Sequence, residues 1–512
     1  MFGSFRRSMA WLHTWSGLVV SWLLYFIFLT GTLGYFDVEI DRWMKPELPY
    51  QGELVPYPQA IAAAQALLDR EAPSARQWTL TLPETRNPYL HVEWQGAGGA
   101  GEADFDLAGN RVDTRSTGGG QWLYELHFRL HYLPIELAYW IVCIVSMVML
   151  VALVSGVVVH RRIFVEFFTF RPGKGRRSWL DLHNLLSVSA LPFHLMITYS
   201  GLLFLQSTYM PIPFAAEYGD ERPAYEAFSD EFFGPSHIEP TGVQAPAVDL
   251  ALILDHAARR LGEDHAIRLV TVYHPNDAAS VTRLIRMIGP SVARSDRLYY
   301  ATSTGEPLDA PLTDGFAKDV RMALVNLHEG LFAGAFLRWL YFVSGLVGTA
   351  MIATGLVIWA QKRGERKRRS PGQIRAHTLV ERLNWGVILG LPVAIGVYFW
   401  ANRLLPAGLD GRASWEQDIF FATLAIAAAY AAVRRPETSI RHLLAAIAAL
   451  FGTLPFVCEA LGGYGLASAV RSGDGTMLGF NLVLLAAATI AAVCLLRFRG
   501  PAPIGAAVGA ET

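Results

Sequence analysis

The sequence predicts a mainly α-helical protein that crosses a membrane about eight times, and three observations carry that expectation. Of 512 residues, 52% are hydrophobic and only 17% charged, with a mean hydropathy of +0.29. Eight apolar stretches reach the roughly 20 residues that span about 30 Å of hydrocarbon. They lie near residues 10–34, 137–159, 184–206, 336–360, 383–401, 416–433, 440–462 and 477–496. Lysine and arginine collect on alternate connections: Arg6 and Arg7 before the first stretch, then HRRIFVEFFTFRPGKGRRSW, QKRGERKRRSPGQIR, RRPETSIRH and RFRG after the second, fourth, sixth and eighth. Positive charge marks the cytoplasmic side, so both termini are expected there.

The elements divide accordingly. Residues 1–34 hold the first helix, too long for a signal-peptide core and without a small-residue cleavage site after it. Residues 35–136 form a polar external module: YPQAIAAAQALLDREA reads as helix, and QWTLTLPETRNPYLHVEW and EADFDLAGNRVDT alternate as strands. Helices two and three with their basic loop take 137–206, and a second α+β module takes 207–335. The fourth helix is 336–360, a basic linker is 361–382, and four more helices over 383–497 look like a separate bundle before a tail at 498–512. Cys143, Cys458 and Cys494 all sit in apolar stretches without CxxC spacing, which argues against disulfides, zinc and iron–sulfur sites. The net charge of −1 says little about partners, and no nucleic-acid partner is expected.

The first four helices repeat. LHTWSGLVVSWLLYFIFLTG (Leu12 to Gly31) matches LHNLLSVSALPFHLMITYSG (Leu182 to Gly201), LHFRL (126–130) matches LHEGL (327–331), and VSGVVVHRR parallels ATGLVIWAQKR. Two helix pairs, each with a module between its helices, are thereby related in parallel orientation. The repeat pairs histidines by depth, His13 with His183 near the cytoplasmic face and His127 with His328 near the external face. One imidazole from each side of a porphyrin plane suits bis-histidine haem, and two such pairs suit two stacked haems b.

His194 follows His183 by 11 residues, which in a straight helix returns to within about 20° of the same face roughly 16 Å further on. It competes with His127 or His328 for the outer haem, or is a hydrogen-bonded core residue, its repeat counterpart being Leu24. Further candidates are His160, where the repeat has Trp359; His131, one turn from His127; and Arg129 and Arg338 as propionate partners. Gly17, Gly31, Gly156, Gly201, Gly345, Gly348 and Gly355 would admit close helices or a flat macrocycle. Trp11, Trp15 and Trp22 are expected along a haem edge or in an interfacial belt. His91, His237, His256, His265, His274 and His377 read as solvated surface.

The LH…[ST]G helices, WLDLHNLLSVSALPFHLMITYSG, LHEGLFAG and the module TLTLPETRNPYLHVEW…DFDLAGNRV together resemble the PepSY-associated transmembrane family over about residues 1–365. The resemblance implies two periplasmic PepSY-like modules inserted in a duplicated four-helix haem-binding core, in a bacterial inner membrane. It also implies a haem-dependent ferrisiderophore reductase, which passes electrons to an iron(III) chelate and releases iron(II). His13, His183, His127, His194 and His328 are the positions it carries over. Two features depart from the family: His160 stands where tryptophan is usual, and the last four helices lie beyond the core.

With no GxGxxG between a strand and a helix, the electron donor is expected to be a cytoplasmic reductase or membrane quinol, with Glu381, Arg382, Asn384, Glu416, Asp418 and Glu459 near the ends of the C-terminal helices. Tyr209, Tyr218, Tyr225, Tyr299 and Tyr300 are aromatics available to a chelate. Two other classes compete with the reductase: a haem-free iron or siderophore transporter, and a membrane-anchored scaffold for a periplasmic partner.

Overall fold

The structure is a computed structural model, and it describes the chain outside residues 1–4, 51, 53, 97, 161–166, 168, 220–226, 232–237, 262–266, 287–296, 310–314, 365–369 and 499–512. Parts of two basic loops, Tyr225, His237 and His265 lie outside the described residues. The first repeat runs α1 (Phe5–Leu33), α2 (Asp37–Met44), α3 (Pro58–Glu71), β1 (Gln77–Thr81), β2 (Leu90–Gly96), β3 (Gly99–Phe105), β4 (Arg111–Val112), α4 (Gly119–Arg129) and α5 (Ile135–Val159). The second runs α6 (Arg176–Ser189), α7 (Leu191–Phe204), α8 (Gln206–Tyr209), α9 (Pro211–Tyr218), α10 (Leu250–Leu261), β5 (Ile267–Tyr273), β6 (Val281–Arg286), β7 (Arg297–Ala301), β8 (Pro307–Leu308), α11 (Phe316–Glu329) and α12 (Ala335–Gly364). Then come α13 (Pro371–Leu404), α14 (Arg412–Val433), α15 (Pro436–Ala460), α16 (Leu466–Ser472) and α17 (Gly475–Arg497). Among the described residues seven helical stretches are long and apolar enough to cross a membrane, or eight with α6 and α7 counted as one broken span.

That break corrects an expectation. The third span is bent by 66° between α6 and α7. Pro192, in the first turn of α7, has no N–H to give the carbonyl of Val188, and Ala190 leaves the helical region at φ −121° and ψ 24°. His183 and His194 therefore sit on two inclined helices, and the one-face argument for them does not hold.

The two external modules are not separate either. Their strands form one antiparallel sheet in the order β4-β3-β2-β1-β5-β6-β7-β8. The first strand of each module pairs with the other, Gln77 opposite Tyr273 and Thr81 opposite Leu269. An isolated four-stranded module would leave that edge unpaired, and pairing the two edges satisfies both rows of backbone groups. The strand order reads the same from either end, as a pseudo-twofold axis between β1 and β5 requires. Helices α3 and α10 cover one face with a common apolar core that includes Ile61, Leu68, Trp78, Leu80, Ile253, Val270 and Val272. Gln65 joins the two repeats by donating to the Val248 carbonyl and accepting from the Leu250 N–H.

The C-terminal helices pack directly on the repeat core instead of standing apart. One buried apolar cluster runs from Val20 and Leu24 through Met351 and Leu391 to Phe451 and Leu484. Trp22 donates to Asn384 (2.8 Å), Tyr25 to the Ile388 carbonyl (2.8 Å), and Asn384 to the Leu356 carbonyl (3.2 Å). On the sheet side, buried Arg42 pairs with Asp474. Arg412 pairs with Glu416, whose carboxylate also accepts from Thr117 (2.6 Å) and Asn402 (2.9 Å). Burying these charges is tolerable because each is paired and hydrogen-bonded. Asn384 and Glu416 are thus committed to holding the bundle, whereas Glu381 lines a small cavity of about 250 Å³ with Glu437.

Candidate functional site

Two cavities lie inside the repeat core, near opposite ends of α1. The inner one, about 500 Å³, is lined by His13, His160, His183, Gly17, Gly156, Gly355, Trp11, Trp15 and Trp359. The outer one, about 730 Å³, is lined by His127, His328, Gly31, Gly201, Gly345, Tyr35, Arg86, Arg268, Arg338 and Glu329. His13 to Gly31 is 18 residues along α1, which sets the two levels roughly 27 Å apart.

At each level two imidazoles face one another. The His13 and His183 ring centroids are 6.4 Å apart at 65°, and those of His127 and His328 are also 6.4 Å apart, at 23°. The inner pair is held by the same local device twice. His13 Nδ1 bonds the Ala152 carbonyl (2.8 Å) and its ring covers Gly156, where a Cβ would come within 3.1 Å of Cε1. His183 Nδ1 bonds the Met351 carbonyl (2.9 Å) and the Thr354 hydroxyl (3.0 Å), and its ring covers Gly355 at 3.4 Å. In both cases the carbonyl belongs to the residue four before the glycine, on the facing helix. A donated Nδ1–H fixes the tautomer with the lone pair on Nε2, the form a metal ligand needs.

The outer pair varies this arrangement. His127 sits on Gly31 (3.4 Å) with Nδ1 against the Tyr124 carbonyl, and His328 sits on Gly201 (3.0 Å) with Nδ1 3.0 Å from the Ser200 hydroxyl. Burial lowers His127 to about 4 and His328 to about 3, so both rings are neutral at neutral pH.

Charge separates the cavities. Arg86, from the β1–β2 connection, forms a bidentate pair with Glu39 (2.8 and 2.6 Å), and Arg338 approaches the same carboxylate at 3.6 Å. Arg268 comes from β5, so the sheet itself supplies two of the three arginines at the outer cavity. Burial raises the Glu329 carboxyl, with Arg268 opposing the shift.

The remaining sequence candidates divide clearly. His194 is fully buried, packs on Phe28 (6.4 Å) and Phe193 (6.1 Å), and lines neither cavity, and neither of its ring nitrogens has a hydrogen-bond partner of ordinary geometry. His131 accepts from Trp122 (3.1 Å) and stacks on Phe421, outside both cavities. Arg129 is largely exposed beside Glu125 (3.4 Å), whereas Arg338 lines the outer cavity. Trp11 and Trp15 line the inner cavity, while Trp22 is turned to Asn384. Tyr299 and Tyr300 are buried in the sheet and offer no docking surface. Arg86 and Arg268 escaped sequence reasoning; the only signal was a basic residue beside a strand end, which a strand pattern does not distinguish from surface charge.

A pair of imidazoles, each with an anchored Nδ1 and a glycine beneath the ring, can hold a metal between two Nε2 atoms. Two metal–nitrogen bonds of about 2 Å account for most of the observed ring separation. The cavities of about 500 and 730 Å³ beside the two pairs are the space a flat group would take.

Comparison with known proteins agrees with this architecture. The uncharacterized protein PA4219 of Pseudomonas aeruginosa is 27% identical over 276 residues, covering 51% of this chain and 67% of that protein. The PepSY-associated TM region profile matches residues 10–362, which take in both repeats, both cavities and all four paired histidines, and the chain belongs to that family.

Proposed function

We propose that the protein is an inner-membrane electron carrier that holds two b-type haems and reduces an iron(III) chelate on the periplasmic side. The observation that carries this reading is the pair of facing imidazoles repeated at two depths, 6.4 Å between rings at each. His13 and His183 would hold the inner group, and His127 and His328 the outer. When bound, the haems would supply one-electron chemistry, and two histidines for each would suit electron transfer over oxygen binding.

The chain's own residues do the rest. Backbone carbonyls of Ala152 and Met351 orient the inner rings. Gly156, Gly355, Gly31 and Gly201 let the rings of His13, His183, His127 and His328 lie directly against the facing helix. Arg268 at the outer cavity favours carboxylate or hydroxamate groups there, Arg86 and Arg338 are held beside it by Glu39, and the Glu329 carboxyl, raised by burial, lies at the same cavity. The substrate iron accepts one electron and becomes iron(II), which hard oxygen donors hold less tightly. No covalent bond is made or broken in that step. The sheet, on the side opposite the basic loops, gives the outer cavity its periplasmic surface.

The test is anaerobic single turnover. Dithionite-reduced protein, freed of excess reductant, is mixed with a ferric trihydroxamate in the presence of a ferrous-specific chromogenic chelator. Reoxidation of the protein matched by ferrous chelate, about two per chain, is the expected result; reoxidation without ferrous iron would reject the substrate assignment.

A further inference from the structure

Away from both cavities, the open face of the sheet carries a second group of ligand-type side chains. On β2, His91 and Glu93 are two residues apart and so share a face. On β3, Glu102 lies directly opposite Glu93, and Asp104 opposite His91. His91 Nε2 is 3.2 Å from a Glu93 oxygen and 3.9 Å from a Glu102 oxygen, and one ligand atom from each of the three lies within 4.8 Å of the others. Ligands bound to one first-row ion at about 2.1 Å sit roughly 3 Å from each other, close to this spacing.

Asp104 stands outside that triad and supplies the second, independent observation. It is 4% exposed, and one of its oxygens bonds His91 Nδ1 at 2.8 Å, which turns Nε2 toward the two glutamates. Its other oxygen is taken by Lys45 (2.8 Å) and Thr114 (2.6 Å). Asp104 is therefore spent on orientation, in the carboxylate–imidazole relation that commonly backs a metal-bound histidine. The direct Glu93–Glu102 pairing is itself costly, because like charges opposite one another across strands repel. The His91 ring, bonded to Glu93 and close to Glu102, offsets part of that cost, and a metal ion between the carboxylates would offset more of it.

We propose that His91, Glu93 and Glu102 bind a divalent first-row transition-metal ion on the periplasmic sheet, with Asp104 as the positioning residue. One imidazole and two carboxylates suit iron(II), manganese or zinc, and leave positions open to water. The site does not depend on the haem reading, since its residues belong to the sheet alone.

The experiment uses the full chain in detergent, stripped with a chelator, and zinc alone as the probe, read by calorimetry and by the shift in Tm. Wild type is expected to bind one zinc with a raised Tm. His91→Ala and the double variant Glu93→Gln/Glu102→Gln should lose both signals, and Asp104→Asn should bind about 10–100-fold more weakly. Circular dichroism and gel-filtration elution of each variant serve as the folding control, and the glutamate pair stands in should His91→Ala not fold. Zinc uptake unchanged in folded variants, or no uptake by wild type, would overturn the proposal.

Discussion

The inner and outer cavities are built from the same repeat, yet the outer one carries far more charge: Lys362 alone lines the inner cavity among the described lysines, arginines and carboxylates, against Asp37, Arg86, Arg268, Glu329 and Arg338 at the outer. The inner level has backbone carbonyls on both Nδ1 atoms and indoles from Trp11, Trp15 and Trp359 around it. The outer level has a hydroxyl on one Nδ1, three arginines, Asp37, and Glu329, whose carboxyl is raised by burial. A duplicated helix pair thus supplies two equivalent sockets, and the sheet makes them unequal by inserting Arg86 and Arg268 into one of them. Under the proposed function, the inner level would hold an electron and the outer would meet a charged substrate.

The largest effects should come from removing one imidazole. His183→Ala is expected to halve the haem content and keep the outer group, and His328→Ala to do the reverse, as read by pyridine haemochrome; loss of both from either variant would make the sockets one cooperative unit.

Next come the glycines, which grade the comparison within each level. Gly201→Ala and Gly156→Ala place a methyl 3.0 and 3.1 Å from an imidazole carbon, whereas Gly31→Ala and Gly355→Ala place it at an ordinary 3.4 Å. The first two should bind haem markedly more weakly and the last two nearly normally, as measured by haem retention on dilution.

Removing Arg268 should slow reduction of an anionic chelate about tenfold, the scale of one lost charge-assisted hydrogen bond, and leave the inner spectrum untouched.

A smaller difference is expected in pH dependence. Reduction adds negative charge near Glu329, whose carboxyl is already raised by burial with Asp37 adding to the shift. Proton uptake then accompanies reduction, so the outer midpoint potential should fall as pH rises while the inner stays flat, and Glu329→Gln should flatten the outer one too. The smallest effect is spectroscopic. Imidazole planes at 65° and 23° should give two distinguishable low-spin ferric signals by electron paramagnetic resonance, the nearly perpendicular inner pair having the larger anisotropy.

Much of this was legible in the chain because a duplication repeats its signals. The LH and [ST]G landmarks aligned His13 with His183 and His127 with His328, and the structure brings those same pairs face to face. The basic connections gave the sidedness of the reading. What stayed hidden depends on long-range pairing. Nothing local to QWTLT or IRLVTVY announces that these strands pair with each other. The bend at Ala190 was signalled by Pro192, but the apolar length of the segment outweighed it, and His194 was placed on a straight face as a result. Arg86 and Arg268 become visible at the outer cavity only once the fused sheet sits over it.

The central claim is that four histidines form two haem sockets, and the most direct measurement is haem per chain with the reduced absorption spectrum of the detergent-purified protein. Two haems b per chain with a sharp reduced α-band, falling to one in His13→Ala, are predicted. A folded protein that stays colourless after haem-replete expression would contradict the account.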